Sequence, residues 1–341
     1  MNKNLIVVGE NIHCTRIYKV GGNFVRTLDN GVAVLVYGGK NDPRSLAVPP
    51  AFVQGADWAA GKVKHCAVAV WQGLYGDAAA KASAIDYLQY LAQRQEAAGA
   101  AFLDVNVDEF STDVDERCRA IAWVAGVVQS GSRLPLSIDS SNAAILRAGL
   151  AACDKVRGPA MVNSVSLERV DAIGVAAEFK AVVIASAAGE KDLPANTEQR
   201  LDNIGRLTPL LEAAGLRGGA VYIDPLVFPV ATDSNNAQSF LEAVRAIRAR
   251  YGTEIHISGG LSNVSFGMPS RKLINQVFTW MALEAGADSG IVDPLQINGR
   301  VLAGLDKASE PFKLARALLT GEDLFGGEFI TAHREGRLGG E

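Results

Sequence analysis

The chain has 341 residues, 48% of them hydrophobic, enough to bury a large core without disulfides or a structural metal. Its 33 basic and 37 acidic residues leave a net charge of −4, and neither sign gathers into a long block, which argues against a nucleic-acid footprint or an anionic-membrane surface. Cys14, Cys66, Cys118 and Cys153 lie far apart with no C-x-x-C pair, as expected of reduced thiols in a cytoplasmic protein; no apolar run is long enough to span a bilayer, and the stretch before Glu10 is too short for a signal-peptide core.

In chain order, short apolar runs predict strands at Leu5–Gly9, Ala101–Val107, Leu134–Asp139, Ala160–Ser164, Ala181–Ala185, Ala220–Asp224, Glu254–Ser258 and Ser289–Asp293. Between them, stretches rich in Ala, Leu, Glu, Arg and Gln predict helices at Ala84–Ala98, Val114–Val128, Asn142–Ala152, Thr197–Ala214, Ala237–Tyr251 and Arg271–Ala285. Eight strands with intervening helices over about 250 residues predict an α/β fold, a (β/α)8 TIM barrel spanning residues 1–320. A doubly wound sheet is the alternative, but its G-x-G-x-x-G first turn is absent.

The register breaks once. Residues 15–80 carry the turn signals Gly21-Gly22, Asp29-Asn30-Gly31, Gly38-Gly39 and Pro49-Pro50 around two alternating runs, Phe24–Leu28 and Val32–Val36, with Asp29-Asn30-Gly31 placed as a hairpin turn. This segment reads as an inserted cap or hairpin after the first strand. Residues 321–341, rich in Gly and charge, read as a C-terminal tail that frays or docks a partner. His65 and Cys66 fall in the insertion; one His and one Cys are too few for a zinc site, so packing is the expected role and no metal is expected.

The predicted strands end in carboxylates and amides: Asp104 and Asn106, Asp139 and Asn142, Asn163, Asp224, Asn263 and Asp293. In a parallel barrel such residues gather at the rim that carries function. Helix capping is the competing account for Asp139, Ser140 and Asn142, and for Asp224 before Pro225. The set lacks a paired base and nucleophile and is rich in amides, which suits recognition of a heterocycle more than acyl or phosphoryl transfer. The most informative stretch is Ser258–Asn275, where Gly259, Gly260 and Gly267 allow close approach to a flat ligand and Asn263, Ser265 and Arg271 follow a strand.

Gly9-Glu10-Asn11, Leu103-Asp104-Val105-Asn106-Val107, Ser137-Ile138-Asp139-Ser140-Ser141-Asn142, Val162-Asn163-Ser164, Tyr222-Ile223-Asp224-Pro225-Leu226 and Leu261-Ser262-Asn263-Val264-Ser265-Phe266-Gly267 occur in the order seen in pterin-binding methyltransferases. The chain resembles the methyltetrahydrofolate–corrinoid methyltransferases, is similar to the folate domain of cobalamin-dependent methionine synthase, and is more distantly similar to dihydropteroate synthase. The resemblance implies methyl transfer between N5 of tetrahydrofolate, or 5-methyltetrahydrofolate, and a corrinoid (cobalamin) cofactor carried by a partner protein, in one-carbon or demethylation metabolism. It implies that Asp139, Asn163 and Asp224 hold the pterin, that Asn263 approaches N5, and that Asp104, Asn106, Ser265 and Arg271 line or brace the pocket; Asn263, Asp139 and Asp224 would be the catalytic set. A homodimer is implied in the same way.

Two positions depart from the pattern. Many relatives read Gly-Glu-Arg-x-Asn after the first strand, whereas here Asn11 stands where Arg is common and His13 where Asn is common; a structural role is the expectation for His13. No D-x-H-x-x-G corrinoid signature and no Cys-Cys zinc site of the thiol-activating type is present, so the corrinoid is expected on another protein and homocysteine is not the expected substrate. Dihydropteroate synthase chemistry is a second reading, kept by Ser270-Arg271-Lys272 and opposed by the absence of a Gly-x-Ser-Thr-Arg-Pro loop; non-catalytic folate binding is a third.

Overall fold

Runs of Val, Ile and Ala without polar alternation are stable as strands when both faces are covered, and this chain uses them so. In the computed structural model, which describes residues 5–339, the strands in chain order are β1 (Ile6–His13), the short β2 (Ile17–Lys19), β3 (Val25–Thr27), β4 (Ala33–Gly39), β5 (Asp42–Ala47) and β6 (Lys62–Lys64), then β7 (Phe102–Asn106), β8 (Leu136–Asp139), β9 (Met161–Val165), β10 (Val182–Ser186), β11 (Val221–Asp224), β12 (His256–Ile257) and β13 (Ser289–Val292). Eight of them form one sheet in the order β12-β11-β10-β9-β8-β7-β1-β13. Every residue of β7 and β10 is buried. Because neighbours in the sheet follow chain order, each connection is a crossover through a helix. A single isolated bridge, Gly260 to Ile291, links the segment after β12 to β13 and nearly closes the barrel. This is the (β/α)8 architecture that the alternation of strands and helices predicts.

The chain forms two compact units. One contains residues 5–9, 98–101 and 161–339. In it β1 pairs with β13 from Ile6↔Ser289 to Gly9↔Val292, and β9, β10, β11 and β12 pair in succession. The helices Asn236–Tyr251 and Arg271–Ala285 meet through Phe240 and Phe278, both fully buried, with ring centroids 5.3 Å apart. The segment after Thr320, expected to fray or to dock a partner, carries regular structure from Leu324 to Arg334. Gly327–Arg334 form a helix that buries Phe329 and Ala332, and Asp323 accepts hydrogen bonds from the Glu328 and Phe329 amides, satisfying donors at its start.

The other unit contains residues 10–97 and 102–160. β1 runs four residues beyond the expected Gly9, to His13, and the Cys14 amide bonds the Asn106 carbonyl. β3 and β4 form the expected hairpin, in register Thr27↔Ala33, around Gly31, whose φ of +82° suits glycine. A third strand, β5, pairs with β4 and was not legible, because Asp42-Pro43-Arg44-Ser45 shows no apolar alternation. The helix His65–Tyr75 is buried almost all round, and the helix Ala78–Ala97 follows it. No helix among the described residues is long and apolar enough to cross a membrane.

Candidate functional site

Four polar side chains meet in the unit of residues 10–97 and 102–160. Alternation along β1 places Asn11 and His13 on one face, and His13 Nε2 lies 2.7 Å from Oδ2 of the fully buried Asp104. β7 and β8 pair in the register Asn106↔Asp139. As neighbours in that register, Asn106 donates from Nδ2 to Asp139 Oδ2 at 3.0 Å, while its Oδ1 accepts the Asp108 amide at 3.0 Å. The second bond fixes the Asn106 amide with its donor toward Asp139.

This arrangement controls charge. Burial, then the negative charge of Asp104, pushes the Asp139 carboxyl up from 3.8 to about 7, against the pull of His13 and the Asn106 amide. Burial opposes charge on His13 as well, but its bond to Asp104 and the charges of Asp104 and Asp139 outweigh burial and raise its pKa. His13, Asp104 and Asp139 each offer one donor atom, all within 4.8 Å of one another. Without a metal, His13 and Asp104 meet as a charge-assisted hydrogen-bonded pair beside Asp139. The structural role expected of His13 is therefore joined to a direct contact with a candidate site carboxylate.

Capping separates the residues of the next loop. Asn142 accepts the Ala144 amide at 2.9 Å and caps the helix Ala143–Ala151, whereas Asp139 makes no cap. Asp108 accepts from Ser140 Oγ at 2.6 Å and from the Ser141 amide at 3.0 Å, holding the turn that follows Asp139.

The unit of residues 5–9, 98–101 and 161–339 holds the remaining candidates. On β9 the pairing with β10 runs to Asn163↔Ile184 and then skips Ser164, a bulge just beyond Asn163. At the end of β11, Asp224 accepts the Leu226 amide at 2.7 Å. Burial raises the Asp224 carboxyl from 3.8 to about 6, partly offset by that bond and by the Arg200 charge. Arg200 is 1% exposed; its Nε donates to the Pro225 carbonyl at 2.7 Å and its Nη1 to Ser239 Oγ at 2.6 Å. Sequence reasoning missed Arg200. The signal was its place at the head of the buried row Ile204, Leu207 and Leu211 on the helix Thr197–Ala213.

Gly259 and Gly260 lie in close approach to their neighbours. A Cβ on Gly259 would sit 3.3 Å from Asp224 Oδ1 and 3.2 Å from the Phe240 ring, and one on Gly260 would fall 2.8 Å from Asn263 Nδ2. Asn263 lies in a 3-10 turn, Leu261–Ser265, with its side chain exposed and without a hydrogen-bond partner among the described residues. Ser265 is fully buried; it accepts from Arg271 Nε at 3.0 Å, and Arg271 Nη2 donates to the Ser262 carbonyl at 3.0 Å. Ser265 and Arg271 thus brace the turn that presents Asn263. Asp293 closes its own turn, accepting from the Leu295 amide at 3.0 Å and from Gln296 Nε2 at 2.7 Å.

Comparison with known proteins supplies the family and the fold. The family model described as pterin binding enzyme matches residues 77–293. Over 250 residues the chain is 30% identical to methylcorrinoid:tetrahydrofolate methyltransferase of Eubacterium limosum, a match covering 72% of this chain and 86% of that protein. It is also 30% identical over 222 residues to methionine synthase of Mycobacterium tuberculosis (strain ATCC 25618 / H37Rv), covering 61% of this chain but 18% of that larger protein. Solved dihydropteroate synthases share the fold: that of Yersinia pestis has a TM-score of 0.50 at 19% identity, covering 64% of this chain and 87% of its own, and that of Stenotrophomonas maltophilia has 0.51 at 18%, covering 64% and 86%. By the extent of the family match, the chain belongs to the pterin-binding enzymes.

Proposed function

We propose that this enzyme moves a methyl group between N5 of tetrahydrofolate and a corrinoid carried by a partner protein. The observation that carries the reading is the exposed, unpartnered amide of Asn263, held by a braced turn beside two glycines. The 30% identity to a methylcorrinoid:tetrahydrofolate methyltransferase over most of that relative's length supports the same chemistry.

A methyl group on a tertiary amine leaves poorly unless the nitrogen gains a proton or a hydrogen bond as the bond breaks. Asn263 offers both a donor and an acceptor without charge, so it serves N5 in either direction of transfer. Asp139, Asn163 and Asp224 are assigned to the pterin, where an ionised carboxylate accepts paired bonds from an amino-pyrimidine edge. Asn106 orients Asp139, Asp104 anchors His13, and Ser265 and Arg271 keep the Asn263 turn in place. The corrinoid, when its carrier protein docks, supplies the methyl acceptor or donor. The proposal extends to a homodimer and to a place in one-carbon metabolism.

Calorimetric titration of the full chain with 5-methyltetrahydrofolate, tetrahydrofolate and a 7,8-dihydropterin pyrophosphate tests this reading. Saturable binding of the reduced folates without binding of the pyrophosphate is expected. The reverse pattern would replace methyl transfer with dihydropteroate synthase chemistry, and binding without methyl transfer from methylcobalamin to tetrahydrofolate would leave a folate-binding protein.

A further inference from the structure

The segment that interrupts the barrel pattern forms, with the helix Ala78–Ala97, a half-open cavity of about 390 Å³, within the range of small-molecule sites. It lies outside residues 77–293, the span of the family match, except for wall residues on the helix Ala78–Ala97. One wall is a stacked column: Phe24 on Tyr18 at 4.8 Å between centroids, and Tyr18 on His65 at 3.9 Å. The base of the column is fixed, since the Tyr87 hydroxyl lies 2.9 Å from His65 Nδ1 and 3.5 Å from the Tyr18 hydroxyl. Burial keeps His65 uncharged, lowering its pKa to about 3. Its outer end is open, because Phe24 is 50% exposed.

The rim has one sign of charge. Arg26, Lys40, Arg44 and Arg94 line the cavity and no carboxylate does. Arg44 is neutralised by Asp42 and Asp86 at 3.1 and 2.8 Å and lies 5.2 and 5.1 Å from the Tyr37 and Tyr90 ring centres, so it belongs to the wall. Arg26, Lys40 and Arg94 make no ion pair among the described residues; Arg94 rests over Tyr90 at 5.4 Å. These three cations are exposed, so solvent screens their repulsion, and together they give the mouth a positive potential that attracts an anion. An aromatic column that merely packed a loop would need neither an open outer ring nor three uncompensated cations.

We propose that this cavity binds a planar ring bearing an anionic arm, the ring stacking against the Phe24–Tyr18 column and the carboxylate or phosphate meeting Arg26, Lys40 and Arg94. Ring stacking adds to area burial and charge-assisted hydrogen bonds are stronger than neutral ones, so the two wall chemistries together favour this class over neutral or aliphatic ligands. The proposal stands apart from the folate assignment, because none of its residues is assigned to the pterin.

Two probes distinguish the source of such a ligand: adenosine 5′-monophosphate, a ring with a phosphate arm, and p-aminobenzoylglutamate, a ring with a dicarboxylate arm. Calorimetry on the full chain is expected to show saturable binding of at least one at about millimolar affinity or better. The exposed-site reversal Lys40→Glu with Arg94→Glu, and separately Phe24→Ala, should each weaken binding about tenfold, with unchanged circular dichroism and a retained reduced-folate titration. Binding of the nucleotide alone marks a ligand distinct from folate; p-aminobenzoylglutamate is also the tail of folate, so its binding supports the proposal when saturating tetrahydrofolate leaves it in place, and displacement by tetrahydrofolate counts against it. Absence of binding to both, or affinity indifferent to the charge reversal, overturns the proposal.

Discussion

Asp139 and Asp224 end two strands of the same sheet, yet their surroundings treat them differently. Asp139 faces a second buried acid, Asp104, and burial plus like charge raise it to about 7. Asp224 faces a buried cation, Arg200, and a peptide N–H, and it rises only to about 6. Equal residue types at equal positions in a β/α unit are therefore not equal chemical groups. The neighbours behind the strand set which one holds a proton near neutrality.

Asn263 stands apart from both, because it has nothing behind it to satisfy its amide. If its amide serves N5, Asn263→Ala should lower methyl-transfer turnover about 100-fold or more while the affinity for reduced folate changes little, as befits a group whose bond strengthens toward the transition state. Rapid-mixing kinetics alongside calorimetry would show the split; equal small losses in both would remove Asn263 from its assigned role. Next in size is the cation behind Asp224. Arg200→Met should destabilise the fold by about 3 kcal/mol, since it leaves the Pro225 carbonyl and the Ser239 hydroxyl without their charged donor and removes a positive charge that lowers the Asp224 pKa. Urea denaturation reads this directly, and a loss below about 1 kcal/mol would show that the compensation is unimportant.

The pH dependence sharpens the contrast. Both carboxyls have folded pKa values above their ordinary 3.8, so the folded state binds more protons than the unfolded between about pH 4 and 7. Their contribution to stability is fully present below about pH 4 and is lost as pH rises through about 6 for Asp224 and about 7 for Asp139. Asp139→Asn should accordingly raise the melting temperature at pH 8, by roughly 2 °C, while weakening reduced-folate binding about tenfold. In the wild type, folate affinity should fall as pH drops from 8 to 5 and the two carboxylates take up protons; a flat profile would separate them from the ligand. The smallest expected effect belongs to His13. Replacing it by Asn removes a positive charge that lowers the Asp139 pKa, so the midpoint of that profile should move to higher pH, with no corresponding movement in an Asp139→Asn background.

Much of this organisation was legible in the chain because barrel strands are buried on both faces: runs such as Val182–Ser186 need no partner to be recognised. The amides and acids at their ends were equally visible. Long-range pairings were not. That His13 meets Asp104, 91 residues later, follows from β1 continuing past Gly9, and the apolar runs gave no sign of that extension. Arg200 hides in a polar-looking helix start, and only the row of Ile204, Leu207 and Leu211 reveals that it points inward. In the inserted segment, β5 and the buried helix His65–Tyr75 escaped notice because one lacks alternation and the other is apolar nearly all round.

The lone bridge between Gly260 and Ile291 gives the barrel a seam. The Ile291 amide donates to the Gly259 carbonyl at 2.9 Å and the Asp288 amide to the Ile257 carbonyl at 3.2 Å, so the stitches that close the cylinder are borne by the same short segment that leads into the Asn263 turn. A seam held by few bonds opens more readily than a full ladder, and its amides trade hydrogen for deuterium sooner than those along β10. A ligand that engages the Asn263 turn would then slow that isotope uptake at Asp288 and Ile291, giving occupancy of the pocket a signature in the barrel wall.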